Sequence, residues 1–146
     1  MPSSADLLNQ AQQEQVVKAI QEAERETSGE IRVHFEDHTR KDALLRAEEV
    51  FLKLKMQKTK DRTGVLIYAA VKDHKLAIIG DKGIHDVVGS DFWEAERNLL
   101  VEYFSKGNYS EGLVKVIGLV GEQLKQFFPQ KPGDKNELSN EMSFNN

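Results

Sequence analysis

The chain has 146 residues, of which 39% are hydrophobic and 30% charged, and its formal net charge is −4. This length and composition suit one globular domain and exclude a wholly disordered chain, which would combine fewer apolar residues with a larger net charge. The absence of cysteine excludes disulfides, thiolate metal sites and cysteine nucleophiles. The net negative charge offers no electrostatic basis for binding nucleic acid.

The N-terminal residues do not resemble a targeting segment, because no basic stretch precedes an apolar one. The longest apolar run, Val65 to Val71, is far shorter than the ~20 residues that cross a membrane. We therefore expect a soluble, cytoplasmic monomer with neither membrane nor nucleic acid among its partners.

The first half of the chain alternates between helical and strand patterns. Apolar residues at helical spacing predict a helix over 3–27, with Ser3 and Asp6 as a capping box and Gly29 beyond its end. Residues 30–36 alternate strictly, which predicts a strand with one buried face. A second helix is predicted from Thr39 to about residue 57.

The second half predicts a hairpin followed by two helices. The apolar run 64–71 indicates a central strand buried on both faces, and a polar turn separates it from a strand at 75–80. A loop at 81–89 precedes helices over 90–104 and 110–128, and Pro129 ends the last one. We expect a domain over 1–129 and a disordered tail over 130–146, since the tail is rich in Pro, Gly, Asn, Ser and charge.

This order of elements predicts an α/β fold with a small mixed sheet and helices on its faces. The strand–helix–strand unit at 30–71 makes its two strands parallel, and the hairpin adds an antiparallel edge.

The same topology brings several carboxylates to one end of the sheet. Glu30 begins the first strand, Asp61 precedes the parallel second strand, and Asp81 follows the antiparallel third strand. Asp86 lies in the next loop and Asp91 begins the following helix. Converging carboxylate oxygens are the ligands that Ca²⁺ or Mg²⁺ prefers. The alternative interpretation is a set of solvated loop acids with Asp91 as a helix cap.

Two other motifs carry weaker hypotheses. At the opposite end of the sheet, histidines and carboxylates could bind zinc: His34, Glu36, Asp37, His38, Asp73 and His74. However, no HExxH pattern occurs, and surface histidines often lie beside acids. Asp81-Lys82-Gly83 lacks the Walker pattern, so we interpret it as a turn with Gly83 at positive φ.

An ordered set of motifs resembles the TPM domain family. The matching stretches lie between about residues 10 and 128 and include Ser28-Gly29-Glu30-Ile31-Arg32-Val33, Arg62-Thr63-Gly64-Val65-Leu66-Ile67-Tyr68, Ala77-Ile78-Ile79-Gly80-Asp81-Lys82-Gly83-Ile84, and the later Phe104, Gly107, Tyr109 and Gly112-Leu113. The chain departs from the family pattern at Thr63, where asparagine is common, and in a loop after Gly83 that is about a residue longer.

The resemblance implies a three-layer α/β/α sandwich, divalent-cation binding with calcium often named, and an acid phosphatase activity described in plastid members. Our hypothesis is a Ca²⁺-binding regulatory or interaction module, with Mg²⁺ as the alternative ion and a protein as a further partner. Asp81, Asp91, Glu30, Asp61 and Asp86 are the candidate ligands. The alternative function is a metal-assisted phosphatase, in which bound cations polarise phosphoryl oxygens.

Overall fold

A computed structural model describes residues 2–130 and 142–145. In this part of the chain, the helices are α1 (Gln10–Glu24), α2 (Ala43–Lys53), α3 (Lys82–Val88), α4 (Ser90–Ser105) and α5 (Tyr109–Phe127). The strands are β1 (Glu30–Glu36), β2 (Gly64–Ala70), β3 (Lys75–Gly80) and β4 (Ser143–Asn145). Single 3₁₀ turns at Met56–Lys58 and Val71–Asp73 follow α2 and β2.

The strands form one mixed sheet in the order β3-β2-β1-β4. β1 and β2 are parallel with Glu30 opposite Gly64, and β2 and β3 are antiparallel with Val65 opposite Gly80. The predicted strands at 30–36 and 75–80, the parallel crossover and the hairpin are therefore confirmed.

Helices cover both faces of the sheet. Alternate residues of β2 point to opposite sides, as the pleat requires. Val65 and Ile67 join the larger apolar core with residues of α1, α4 and α5, while Leu66 and Tyr68 join a smaller core with residues of α2. The α/β/α sandwich is thus confirmed, with its central strand buried on both faces.

The first helix begins later than predicted. Ser3 and Asp6 are joined by a 3.0 Å side-chain hydrogen bond, but they form a separate turn and not the start of α1. The capping box consists of Asn9 and Gln12, whose side chains each accept the other's backbone N–H at 2.8 and 2.9 Å. Two box-like patterns lie close together in the sequence, and local spacing does not distinguish them.

Both faces of β1 are buried, so the prediction of one buried face is wrong. Glu30, His34 and Glu36 are all less than 7% exposed. Glu36 accepts two hydrogen bonds from the Arg46 guanidinium, at 2.7 and 2.9 Å, and a third from the Tyr68 hydroxyl. Because α2 supplies this charged partner, the polar face of β1 can be covered without leaving a carboxylate unpaired.

The predicted loop at 81–89 contains α3. Asp81 caps this short helix, because its carboxylate accepts the N–H of Lys82 at 2.7 Å. Gly83 does not have positive φ, so that part of the prediction is wrong. A Cβ at Gly83 would lie 2.1 Å from the carbonyl oxygen of Asp61, so glycine is required by close approach and not by conformation.

The tail differs from the expected disorder where it can be described. Ser143–Asn145 forms β4, which pairs in parallel with β1, and Ser143 Oγ is 2.7 Å from His34 Nδ1. Residues 131–141, on which most of that prediction falls, lie outside the described residues. No helix in the described part of the chain is long and apolar enough to span a membrane.

Candidate functional site

Three of the predicted ligands lie at one end of the sheet. Glu30 starts β1 and donates its N–H to the carbonyl of Thr63 at 3.3 Å, and Asp81 follows β3 and donates its N–H to the carbonyl of Gly64 at 2.8 Å. Asp61 precedes Thr63 and Gly64 in the chain, and its carboxylate accepts a 3.4 Å hydrogen bond from the Ser28 hydroxyl. The structure therefore places these three residues at one end of the sheet, and their role as ligands stays a prediction.

The carboxylate of Asp81 is held by a guanidinium. Arg62 Nε and Nη2 donate to its two oxygens at 2.6 and 2.8 Å, while the Arg62 side chain stays 51% exposed. Hydrogen bonding to Asp81 raises the pKa of Arg62. The Arg62 guanidinium therefore neutralises both carboxylate oxygens of Asp81, which is the strongest of the predicted ligands.

Asp86 and Asp91 do not join this group. Both side chains are exposed, Asp86 on α3 and Asp91 in the first turn of α4, where a carboxylate is favoured by the helix dipole. Within residues 2–130 and 142–145, no three acidic or histidine side chains lie close enough together to hold a metal ion. The donor chemistry at this end suits a hard cation, but the ligands are not gathered around one point.

A buried carboxyl pair lies beside this end and was not predicted. Glu24, at the end of α1, is 4% exposed and Glu30 is 1% exposed. Glu24 Oε2 accepts the N–H of Ile31 at 2.7 Å, and Glu24 Oε1 has no hydrogen-bond partner among the described residues. Burial raises the pKa of Glu24 to about 8, and its hydrogen bond with Glu30 and the Glu30 charge act in the same direction.

A sequence signal for Glu24 does exist. Val16, Ile20 and Glu24 are four residues apart, and these three are the buried residues of α1. A carboxylate that continues an apolar i, i+4 row is placed against the core by the helix period. The spacing therefore indicated a buried glutamate, although it could not identify Glu30 as its neighbour.

The opposite end of the sheet holds ion pairs. His38 Nδ1 is 2.8 Å from Asp73 at the surface, and Glu36 is occupied by Arg46 and Tyr68. His34 is buried and stacks on Tyr68, and burial lowers its pKa to about 4. Since these side chains already pair with one another, they do not converge on a free centre, and the zinc hypothesis gains no support from their geometry.

A groove of about 800 Å³ runs along the outer side of β3. Its lining includes Leu76 to Gly80 of the strand, Phe51 and Leu52 of α2, and Trp93 of α4. The indole Nε1 of Trp93 donates to His85 Nδ1 at 3.1 Å, which fixes the ring beside the groove. The volume is in the range of pockets that bind small molecules.

Comparison with known proteins relates this architecture to a family. The family model described as the TPM domain matches residues 2–123. The chain is 45% identical to the BA42 protein of the psychrophilic bacterium Bizionia argentinensis, whose solution structure superposes with a TM-score of 0.89 over 99% of this chain and 100% of that one. No curated protein matches the chain.

Two more distant solution structures share the fold alone. The N-terminal domain of a P. gingivalis protein is 18% identical, with a TM-score of 0.69 over 84% of this chain and 80% of that one. The N-terminal domain of the cg2496 protein of Corynebacterium glutamicum is 10% identical, with a TM-score of 0.64 over 83% and 76%. The family match over residues 2–123 shows that this chain, with its sandwich and its sheet order β3-β2-β1-β4, belongs to the TPM domain family.

Proposed function

We propose that this chain is a regulatory or interaction module that binds a divalent cation, with Ca²⁺ preferred over Mg²⁺, at the acidic end of the sheet. The observation that supports the proposal is the position of Glu30, Asp61 and Asp81 at the end of the sheet where β2 begins. All three supply carboxylate oxygens, the donors that hard cations prefer, and a flexible arrangement suits Ca²⁺ better than Mg²⁺. Asp86 and Asp91 are the supporting candidates from α3 and α4.

In this proposal, the Arg62 guanidinium competes with the divalent cation for the carboxylate of Asp81. Its guanidinium neutralises Asp81, but half of its side chain is exposed and its backbone lies in the left-handed region at φ 56°. The exposed side chain is therefore free to leave Asp81 when a divalent cation approaches, and the ion then takes over the neutralising role. Binding and the Arg62–Asp81 ion pair are mutually exclusive.

Calorimetric Ca²⁺ titration of single variants tests this proposal. Asp81→Asn removes a charge and is expected to weaken binding at least tenfold, which is about 1.4 kcal/mol. Arg62→Gln keeps a polar side chain but removes the competing charge, so it is expected to tighten binding. Bound Ca²⁺ should also raise the melting temperature of the wild type, because the ion prefers the native state.

Asp37→Asn is the matched control, since it makes the same chemical change at the opposite end of the sheet. Its carboxylate accepts the N–H of Ser4 at 2.6 Å, and an amide oxygen can accept the same bond. Equal Ca²⁺ affinity in the Asp37 and Asp81 variants would contradict the site. No Ca²⁺-dependent heat or thermal shift in the wild type would contradict cation binding altogether.

A metal-assisted phosphatase is the second candidate function. The half-exposed Arg62 guanidinium beside Asp81 is the observation that favours it, because such a group can hold a phosphoryl oxygen. A bound cation would supply charge that polarises the phosphate. Turnover of a chromogenic phosphate ester should then be lost in EDTA and in Arg62→Gln, and turnover unchanged by both treatments would refute the enzyme.

A further inference from the structure

We propose that the open edge of β3 binds an extended, positively charged peptide segment of a partner protein as an added strand. Among the described residues, β3 pairs on one side only, with β2. The Asp81 N–H donates to the carbonyl of Gly64, so by the alternation of antiparallel pairs Ile78 and Gly80 direct their N–H and C=O groups away from β2 and toward the groove. Gly80 is partly exposed there, whereas Ile78 is 2% exposed at the floor of the groove. Such unpaired backbone groups are the donors and acceptors that an incoming strand uses.

One end of this edge is protected and the other is not. Arg97 Nε of α4 donates to the outward carbonyl of Leu76 at 3.2 Å, which blocks that position. Lys75 also lies at this end, and charged side chains there discourage unwanted strand pairing. The Ile78–Gly80 half has no comparable side-chain cap among the described residues, so an added strand has a defined place to pair.

Apolar walls flank the open half. Leu44 and Leu52 of α2 are 54% and 58% exposed, and both line the groove beside Phe51. Trp93 of α4 lines the opposite wall. Because side chains of a strand alternate between the two faces, successive residues of an added strand would face the α2 wall and the α4 wall in turn.

The charge on the rim identifies the kind of peptide. Asp42, Glu48 and Glu94 line the groove, and none of them forms an ion pair among the described residues. The Arg62 and Asp81 charges cancel in their ion pair, which leaves Arg97 as the opposing charge. An acidic rim attracts a peptide that carries lysine or arginine between its apolar residues.

Two other occupants fit less well. A second copy of this chain, docked through the same edge, would place one acidic rim against another, which is repulsive. The segment 131–141 of this chain contains one large apolar side chain, Leu138, and three acidic against two basic residues. It therefore lacks both the apolar alternation and the positive charge that the groove favours.

The test is a titration of the full chain, in EDTA, with an acetylated and amidated eight-residue peptide of alternating lysine and valine. Trp93 is the only tryptophan of the chain and lines the groove, so its fluorescence should report binding. Amide NMR shifts should be largest at Ile78 and Gly80. The double variant Glu48→Lys, Glu94→Lys should bind at least fivefold more weakly, whereas the charge-matched control Glu22→Lys, Glu122→Lys should not.

A peptide with alternate backbone N–H groups methylated separates strand addition from simple charge attraction, and it should bind at least tenfold more weakly. Equal binding of the methylated peptide, or shifts that avoid β3, would overturn the proposal. A concentration-dependent dimer in sedimentation, dissociated by Leu52→Glu, would assign the edge to a second copy instead. Because EDTA is present throughout, these outcomes are independent of cation binding at Asp81, which also lines the groove.

Discussion

The buried glutamate of α1 should make the protein less stable as pH rises from 6.5 to 8. Glu24 is 4% exposed, and burial raises its pKa from 4.5 to about 8. The folded state therefore keeps a proton that the unfolded state loses above pH 4.5. Between pH 4.5 and 8 the free energy of unfolding falls by up to about 1.4 kcal/mol per pH unit, and above pH 8 this contribution is constant.

His34 acts in the opposite direction over a lower range. Burial lowers its pKa from 6.5 to about 4, so between these values the unfolded state holds the extra proton and stability rises with pH. The two effects oppose each other below pH 6.5. From pH 6.5 to 8 only the Glu24 contribution remains of the two, and it should lower the free energy of unfolding by about 2 kcal/mol.

Urea denaturation in EDTA at half-unit steps from pH 5 to 8.5 measures this slope. Glu24→Gln keeps an oxygen to accept the N–H of Ile31 and removes the titrating group. The variant should show a flat profile from pH 6.5 to 8 and should keep the rise at lower pH that comes from His34. A wild type that does not lose stability over this range, or a variant with the same loss, would refute a neutral buried Glu24.

Three further substitutions and one truncation probe the packing. Gly83→Ala places a Cβ 2.1 Å from a backbone carbonyl oxygen of the loop before β2, so urea denaturation should show a free energy of unfolding lower by about 1–3 kcal/mol. Gly118→Ala adds a Cβ with no atom within 4 Å, so it should stabilise α5 by roughly 0.5–1 kcal/mol. Ile67→Asp puts an unpaired carboxylate in the centre of the sheet and should cost several kcal/mol, so a native circular dichroism spectrum and melting temperature would contradict the two-sided burial of β2. Truncation after Gln130 removes β4 and the edge-to-face contact of Phe144 with the β1 phenylalanine, and should cost about 1–2 kcal/mol; an unchanged melting temperature would show that β4 does not stabilise the sheet.

Sequence patterns determined the elements whose signal is local. The alternation at 30–36 and the boundaries at 75 and 80 predict β1 and β3 at their observed ends, because a strand period of two is visible in a few residues. The apolar run before Lys72 identifies the central strand for the same reason. Simple rules for connecting strands then place Glu30, Asp61 and Asp81 at one end of the sheet, with no knowledge of side-chain contacts.

Only the tertiary structure decided which side chains meet. Arg62 and Asp81 are nineteen residues apart and form a bidentate ion pair. The raised pKa of Glu24 depends on its burial and on a neighbour from the next strand, neither of which a helical period specifies. Similarly, the groove beside β3 exists because α2 and α4 flank the strand from opposite faces of the sheet. Charge pairing, burial and open edges depend on distances across the fold, and such distances are not encoded in any short stretch of sequence.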